Sequence, residues 1–209
     1  MTGLLFDVDG VLIDSTASYA RVWRQWAGHH GLDGDVVVAA THGRRGEDTI
    51  SEVAPHLNHD TEQALMQRLL AAEIANIVAM PGAAGLLAAL PPDAWGCVTS
   101  GGLRWVTARF QDAGLDLPSV LVTADDVARG KPDPACYLLG ATRLGRDPAD
   151  CLVIEDAVAG IEAGHAAGMQ VVGLATTHER GEIAAADYIF DSLADAAPFL
   201  LAYSAEEPV

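Results

Sequence analysis

The sequence predicts an α/β fold: a doubly wound, Rossmann-like parallel sheet with a helical domain inserted into it. Three observations carry that prediction. Short β-branched or aliphatic runs alternate with helical patterns through most of the 209 residues, as expected for a parallel sheet covered by helices. The strand-like runs are continuously apolar rather than alternating, which burial on both faces requires. One stretch, residues 16–78, shows helical periodicity alone and is too long for a single crossover between strands.

Taken in order, the first strand is Leu4–Val8. The helical stretch follows, with segments at Tyr19–His30, Asp35–Thr41, Glu47–Val53 and Thr61–Val78. Met80-Pro81-Gly82 then breaks the pattern and returns the chain to the core. From there helices and strands alternate: Ala83–Leu90, Gly96–Thr99, Leu103–Ala113, Val120–Thr123, Ala135–Leu144, Cys151–Glu155, Ala157–Ala167, Val171–Leu174, Tyr188–Phe190 and Leu193–Ala202. The domain boundaries that follow are a catalytic core over 1–15 and 80–209, and a helical domain over 16–79. Tyr19, Trp23 and Trp26, at helical spacing, are expected in the core of that second domain.

Composition narrows the function. Half the residues are hydrophobic, a fifth are charged, and the formal net charge is −17. So acidic a chain is a poor partner for nucleic acid or an anionic membrane. No apolar run reaches the ~18 residues a membrane helix needs, and aspartates interrupt residues 1–15 where a signal peptide would be apolar. Cys97, Cys136 and Cys151 have no metal-binding spacing and lie in apolar segments, so reduced, packed thiols are expected. The chain is read as a cytoplasmic monomer.

Four short stretches carry chemistry. In Leu4-Leu5-Phe6-Asp7-Val8-Asp9-Gly10, two carboxylates interrupt a strand of buried type. Residues i and i+2 of a strand share a face, so Asp7 and Asp9 are expected on one side, at the carboxyl end where open α/β sheets bind ligands. Cys151–Asp156 repeats the anomaly, ending an aliphatic strand in Glu155 and Asp156. Carboxylates converging at two strand ends point to a hard divalent cation, Mg²⁺, held by oxygens. The helix after them carries Ala157, Gly160, Gly164 and Gly168 near one stripe that can lie close to the sheet, with His165 packed beside it. Thr99-Ser100-Gly101-Gly102 joins a strand to a helix, a turn whose amides and hydroxyls suit a phosphate. Gly130-Lys131-Pro132-Asp133-Pro134 sets a lysine in extended backbone before a helix capped by Asp133, with Pro134 at its first position.

Together, "DVDGVLIDS", "VTSGG", "GKPDP" and "VIEDAVAGIEAG" resemble the four ordered motifs of the haloacid dehalogenase superfamily of phosphohydrolases. The resemblance extends to a helical cap inserted after the first motif. It is similar, more narrowly, to the sugar- and polyol-phosphate phosphatases, such as those of glycerol-3-phosphate and 2-deoxyglucose-6-phosphate. It implies that Asp7 is the nucleophile and Asp9 the acid and base. It implies that Lys131, Thr99, Ser100 and Gly101 hold the phosphoryl group. Mg²⁺ would be held by the Asp7 carboxylate, the Asp9 main-chain carbonyl and Asp156, with Glu155 bound directly or through water. In this family a loop of the form H-G-x-R reaches over the site; here it is His42, Gly43 and Arg45, which are expected to select a small phosphate ester, with Arg44 exposed beside them. A phosphomutase of the beta-phosphoglucomutase type is the alternative on the same fold. A catalytically silent phosphate-binding protein would have no need of the intact acidic set.

Overall fold

The computed structural model describes residues 2–73 and 77–205. In chain order the elements are β1 (Gly3–Phe6), β2 (Ile13–Asp14), α1 (Thr16–His29), α2 (Gly34–Ala39), α3 (Gly46–Val53), α4 (His59–Ala72), β3 (Val78–Ala79), α5 (Ala83–Ala89) and β4 (Trp95–Val98). Then come α6 (Leu103–Asp112), β5 (Leu121–Val122), α7 (Ala135–Leu144), β6 (Cys151–Glu155), α8 (Val158–Ala166), β7 (Gln170–Leu174), β8 (Tyr188–Phe190) and α9 (Leu193–Ala205).

Six strands form one sheet in the order β5-β4-β1-β6-β7-β8, and every pairing in it is parallel. This is the predicted fold. The two-residue period explains why its strands read as unbroken apolar runs. Leu4 and Phe6 of β1 join one core cluster with Trp95, Phe110 and Leu200, while Leu5 joins the other with Val98, Tyr137 and Ile161. β6 divides the same way, Leu152 and Ile154 to the first face and Cys151 and Val153 to the second. α5, α6 and α9 cover the first face, α7 and α8 the second. The sheet order reverses at β1, whose neighbours are β4 and β6, so the carboxyl ends of these three strands open onto one crevice.

Helices α1–α4 pack round a separate cluster that includes Trp23, Trp26, Val37, Ile50 and Met66. Trp23 and Trp26 stack edge to face at 5.4 Å, an arrangement worth about 0.5–1.5 kcal/mol beyond area burial. Tyr19 is only half-buried and sits at the margin of this cluster, with its ring under the guanidinium of Arg109.

Three elements differ from the sequence reading. β1 stops at Phe6 instead of Val8, because Leu12 and Ile13 both donate to the Val8 carbonyl and Gly10, at φ 81°, turns the chain out of the sheet. The helix read as Thr61–Val78 ends at Ala72; residues 74–76 lie outside the described residues, and Val78–Ala79 pair antiparallel with Ile13–Asp14. That short ribbon ties together the two points where the chain leaves and rejoins the sheet. Before α7 the capping residue is Pro134, and Asp133 accepts instead from the Ala135 amide at 3.0 Å.

In α8 the small-residue stripe has two purposes. A methyl at Gly164 would press on Val171 and Val153 of the sheet, whereas Gly168 lies beyond the helix end at φ 77°. His165 is not packed: it is exposed and pairs with Asp187 at 3.0 Å. All three cysteines are buried free thiols.

Candidate active site

The site grows from β1 and β6, which lie side by side in the sheet. The Asp7 amide donates to the Ile154 carbonyl at 2.9 Å, which continues the ladder one residue past β1 and fixes Asp7 opposite the end of β6. Lys131 is 3% exposed, and its ammonium stands between Asp7 Oδ1 at 2.7 Å and Glu155 Oε1 at 2.6 Å. Burial alone would drive its proton off. Asp7 and Glu155 reverse that and hold Lys131 protonated well above the ordinary lysine range.

Glu155 is the anchor of this group. Oε1 also accepts from the Tyr137 hydroxyl at 2.9 Å, and Oε2 from the amides of Asp156 and Ala157 at 2.9 and 3.1 Å. All four acceptor positions of its carboxylate are thus used, by a lysine, a tyrosine and the turn into α8. The arrangement depends on Gly160, where a Cβ would lie 1.7 Å from Glu155 Oε1. Gly160→Ala should lower the melting temperature despite alanine's better helix propensity, because overpacking of this kind costs about 1–3 kcal/mol. A thermal melt that matched the wild type would show that Glu155 is not locked in this way.

Asp7, Glu155 and Asp156 each offer a carboxylate oxygen, all within 4.8 Å of one another and all buried. Burial is the chief cause that pushes the Asp7 carboxyl up to about 7, with Lys131 pulling it back and Glu155 and Asp9 adding to the rise. Burial, then Glu155 and Asp7, likewise push Asp156 well above the usual carboxylate range. Three carboxylates with one lysine leave surplus negative charge, and an all-oxygen donor set fits a divalent cation of the Mg²⁺ kind. Since Glu155 is saturated, Asp7 and Asp156 are the side chains with oxygens to spare. Thr177 donates to Asp156 Oδ2, and Gly10 leaves room for that oxygen, where a Cβ would stand 2.1 Å from it.

Asp9 does not share a strand face with Asp7, because the strand has ended. Its carboxylate turns toward α1 and α6. Arg109 Nη1 donates to Oδ1 at 2.6 Å and to Oδ2 at 2.8 Å, and the Ser15 hydroxyl donates to Oδ1. Arg109 is 5% exposed and was not foreseen from the sequence. The signal was there: on α6 it falls between Val106 and Phe110, both fully buried, so a cation sits on the apolar face of an amphipathic helix. Asp7 and Asp9 nonetheless line one cavity of about 70 Å³, together with Thr99, Ser100, His42 and Asp156.

In the glycine loop, Thr99 Oγ1 accepts from the Gly101 amide at 3.0 Å, so that amide, expected to grip a phosphate, is already paired within the turn. The Ser100 hydroxyl donates to the Gly43 carbonyl at 2.9 Å, which joins this loop to the one between α2 and α3. His42 of the latter meets His178 edge to face at 4.9 Å, with His178 Nδ1 2.9 Å from the Asp156 carbonyl. Burial and His178 together hold His42 below the usual histidine range. Thr177 and His178 were also missed, although they follow the carboxyl end of β7.

Arg45 lies outside the lining of the 70 Å³ cavity, where Arg44 stands instead. Arg44, expected to be exposed, is half-buried and pairs with Glu52. Arg45 is 7% exposed and is held by Asp48, with Nε to Oδ2 at 2.8 Å and Nη2 to Oδ1 at 2.9 Å. A second cavity of about 360 Å³, lined in part by Arg45, adjoins the first, sharing Tyr19, Ser100 and Gly101, and runs between α4 and the start of α6.

Comparison with known proteins agrees with this geometry. Residues 1–168 match the model of the haloacid dehalogenase-like hydrolases. The chain is 39% identical over 196 residues to hexitol phosphatase A of Escherichia coli, covering 91% of each. It is 36% identical over 187 residues to glycerol-1-phosphate phosphohydrolase 2 of Saccharomyces cerevisiae, covering 84% of this chain and 75% of that one. Among solved structures, beta-phosphoglucomutase from Clostridium difficile superposes with a TM-score of 0.85 at 20% identity, over 98% of this chain and 97% of that one, a likeness of fold. A Rossmann-like sheet, an acidic cluster with its lysine and these relatives lead to one conclusion: the chain belongs to the haloacid dehalogenase-like hydrolase family, as a phosphoric monoester hydrolase.

Proposed function

We propose that the chain is a Mg²⁺-dependent phosphatase of small phosphorylated sugars or polyols that works through an aspartyl-phosphate on Asp7. The observation that carries this reading is the Asp7 carboxylate itself: buried, held at one oxygen by Lys131, and within reach of Asp156. Asp7, Asp156 and the Asp9 main-chain carbonyl would hold the cation, and bound Mg²⁺ would supply positive charge to the phosphoryl oxygens.

The chain's own residues do the rest. An Asp7 oxygen attacks phosphorus, and the bond to the alcohol oxygen breaks as Asp9 gives that oxygen a proton. Asp9 then takes a proton from the water that attacks the aspartyl-phosphate, releasing inorganic phosphate and restoring the Asp7 carboxylate. Lys131, the Thr99 hydroxyl and the Ser100 amide hold the phosphoryl oxygens, while Gly101 shapes the turn. Residues 16–79 act as a cap whose loop, with His42 and Gly43, closes over the site. The 70 Å³ cavity is on the scale of a phosphoryl group, and the adjoining 360 Å³ cavity offers Gln63, Gln67 and His59 to a hydroxylated leaving group.

A phosphate-release screen over hexitol, hexose, glycerol, glycolate and nucleotide monophosphates tests the substrate class. Release from polyol or sugar phosphates above the others is the expected result. Conversion of a hexose 1-phosphate with little free phosphate would identify a mutase instead. Asp9→Asn should keep the fold and slow turnover of an alkyl phosphate by ~10²–10⁴-fold. If that variant hydrolysed the alkyl ester at the wild-type rate, the proton would come from another group.

A further inference from the structure

Arg45 is a buried cation at the wall of the 360 Å³ cavity, yet most of its guanidinium is turned to the protein itself. A guanidinium has five N–H donors. In Arg45, Nε and Nη2 go to the two oxygens of Asp48. Nη2 also reaches the Ala128 carbonyl at 3.3 Å, and Nη1 the Val127 carbonyl at 3.2 Å. Nη1 further contacts Glu47 Oε1 at 2.7 Å. Four of the five donors are thereby hydrogen-bonded within the protein, two of them to backbone carbonyls of one segment, and Glu47 adds an ion pair on the Nη1 side.

The two carbonyls belong to the segment that leads into Lys131. The fit is close at Gly130, the residue before the lysine: a Cβ there would stand 2.7 Å from Cγ and from Nε of Arg45. Two further contacts dock the same cap loop. Ser100 donates to the Gly43 carbonyl, and a Cβ at Gly43, where φ is +70°, would stand 2.8 Å from the Ala157 methyl. One loop thus touches the segments that carry the phosphate-binding turn, the lysine and the acidic pair.

We propose that Arg45 is a positioning residue: a strut that fastens the α2–α3 loop to the 127–130 segment and so registers cap closure with the placement of Lys131. The inference rests on the phosphatase reading for its kinetic consequences, and on contacts alone for its structural ones. Losing a charged hydrogen bond of this kind should lower kcat/KM about 10-fold or more. Because the strut acts on Lys131 and on closure, the loss should be the same for an alkyl phosphate and for p-nitrophenyl phosphate. It should fall on kcat more than on KM.

Three variants test it. Arg45→Lys keeps the charge but removes the fork; Gly130→Ala leaves Arg45 intact and wedges the contact apart; Asp48→Asn, on the half-exposed side, releases the guanidinium with least risk to the fold. All three should show the same substrate-independent loss and faster amide hydrogen exchange in both 41–46 and 127–131, with the rest of the protein protected as in the wild type. A loss confined to the polyol phosphate would make Arg45 a substrate-binding residue and overturn the strut. So would wild-type exchange in 127–131 in Arg45→Lys and Asp48→Asn. If the wild type hydrolysed no phosphate ester, the phosphatase reading would fail by itself, while the exchange measurement would still decide the strut.

Discussion

Asp7→Asn is expected to abolish turnover, by on the order of 10⁴-fold or more, while leaving the protein folded. Asparagine keeps the shape of the side chain and can still lie opposite Ile154, but its amide oxygen does not form a phosphate ester that water can reopen. The cost to stability should be small. Burial already pushes the Asp7 carboxyl up to about 7, so a neutral residue there removes a repulsion from Glu155 and Asp9 along with an attraction to Lys131. Lys131 keeps Glu155 as its partner at 2.6 Å. The measurement is phosphate release alongside a thermal melt. A variant that is both inactive and unfolded would mean that Asp7 is chiefly structural; one that retained activity would place the nucleophile elsewhere.

Removal of the divalent cation has the second large effect. Asp7, Glu155 and Asp156 bring carboxylate oxygens within 4.8 Å of one another, the Lys131 ammonium pairs with two of the three, and Arg109 is occupied by Asp9. With chelator present, activity should vanish, because nothing else would balance the charge of an incoming phosphoryl group. Mg²⁺ at about 100 times its Kd should stabilise the fold by about 2.7 kcal/mol, which for a chain of this size raises Tm by roughly 5–10 °C. In Asp156→Asn the stabilisation should weaken sharply. Full activity in EDTA, or a melt indifferent to Mg²⁺, would sink the metal site.

The fold was legible because each strand is a continuous apolar run with a helix on either side, and such runs have one common solution in a parallel sheet. The six strands sit where the runs are. What was not legible was short or long-range. β3 is two residues long and takes its meaning from Ile13, distant in sequence. The carboxylates of the site announce themselves because a charge in an aliphatic run is costly unless it is used. Arg109 does not interrupt a strand, so its position between Val106 and Phe110 was needed to see it. Arg45 shows a different limit. The motif places an arginine in the loop over the site, but whether its donors face a substrate or the carbonyls of Val127 and Ala128 depends on a segment some eighty residues away. Glu155 is similar: beside Asp156 it reads as a ligand, and only the fold brings Tyr137 and Lys131 to fill its oxygens.

The central claim is that a phosphoryl group passes through Asp7, and chemical trapping addresses it most directly. Wild-type protein with Mg²⁺ and a turning-over phosphate ester would be quenched in acid, reduced with borohydride and digested for peptide mass spectrometry. An aspartyl-phosphate is an acyl phosphate, so borohydride cuts its C–O bond to phosphate and leaves homoserine in place of aspartate. The account predicts that conversion at Asp7, dependent on substrate and Mg²⁺, and absent from Asp7→Asn. Steady turnover with Asp7 unmodified at every quench time, or with the reduced residue at Asp9 or Asp156, would contradict it.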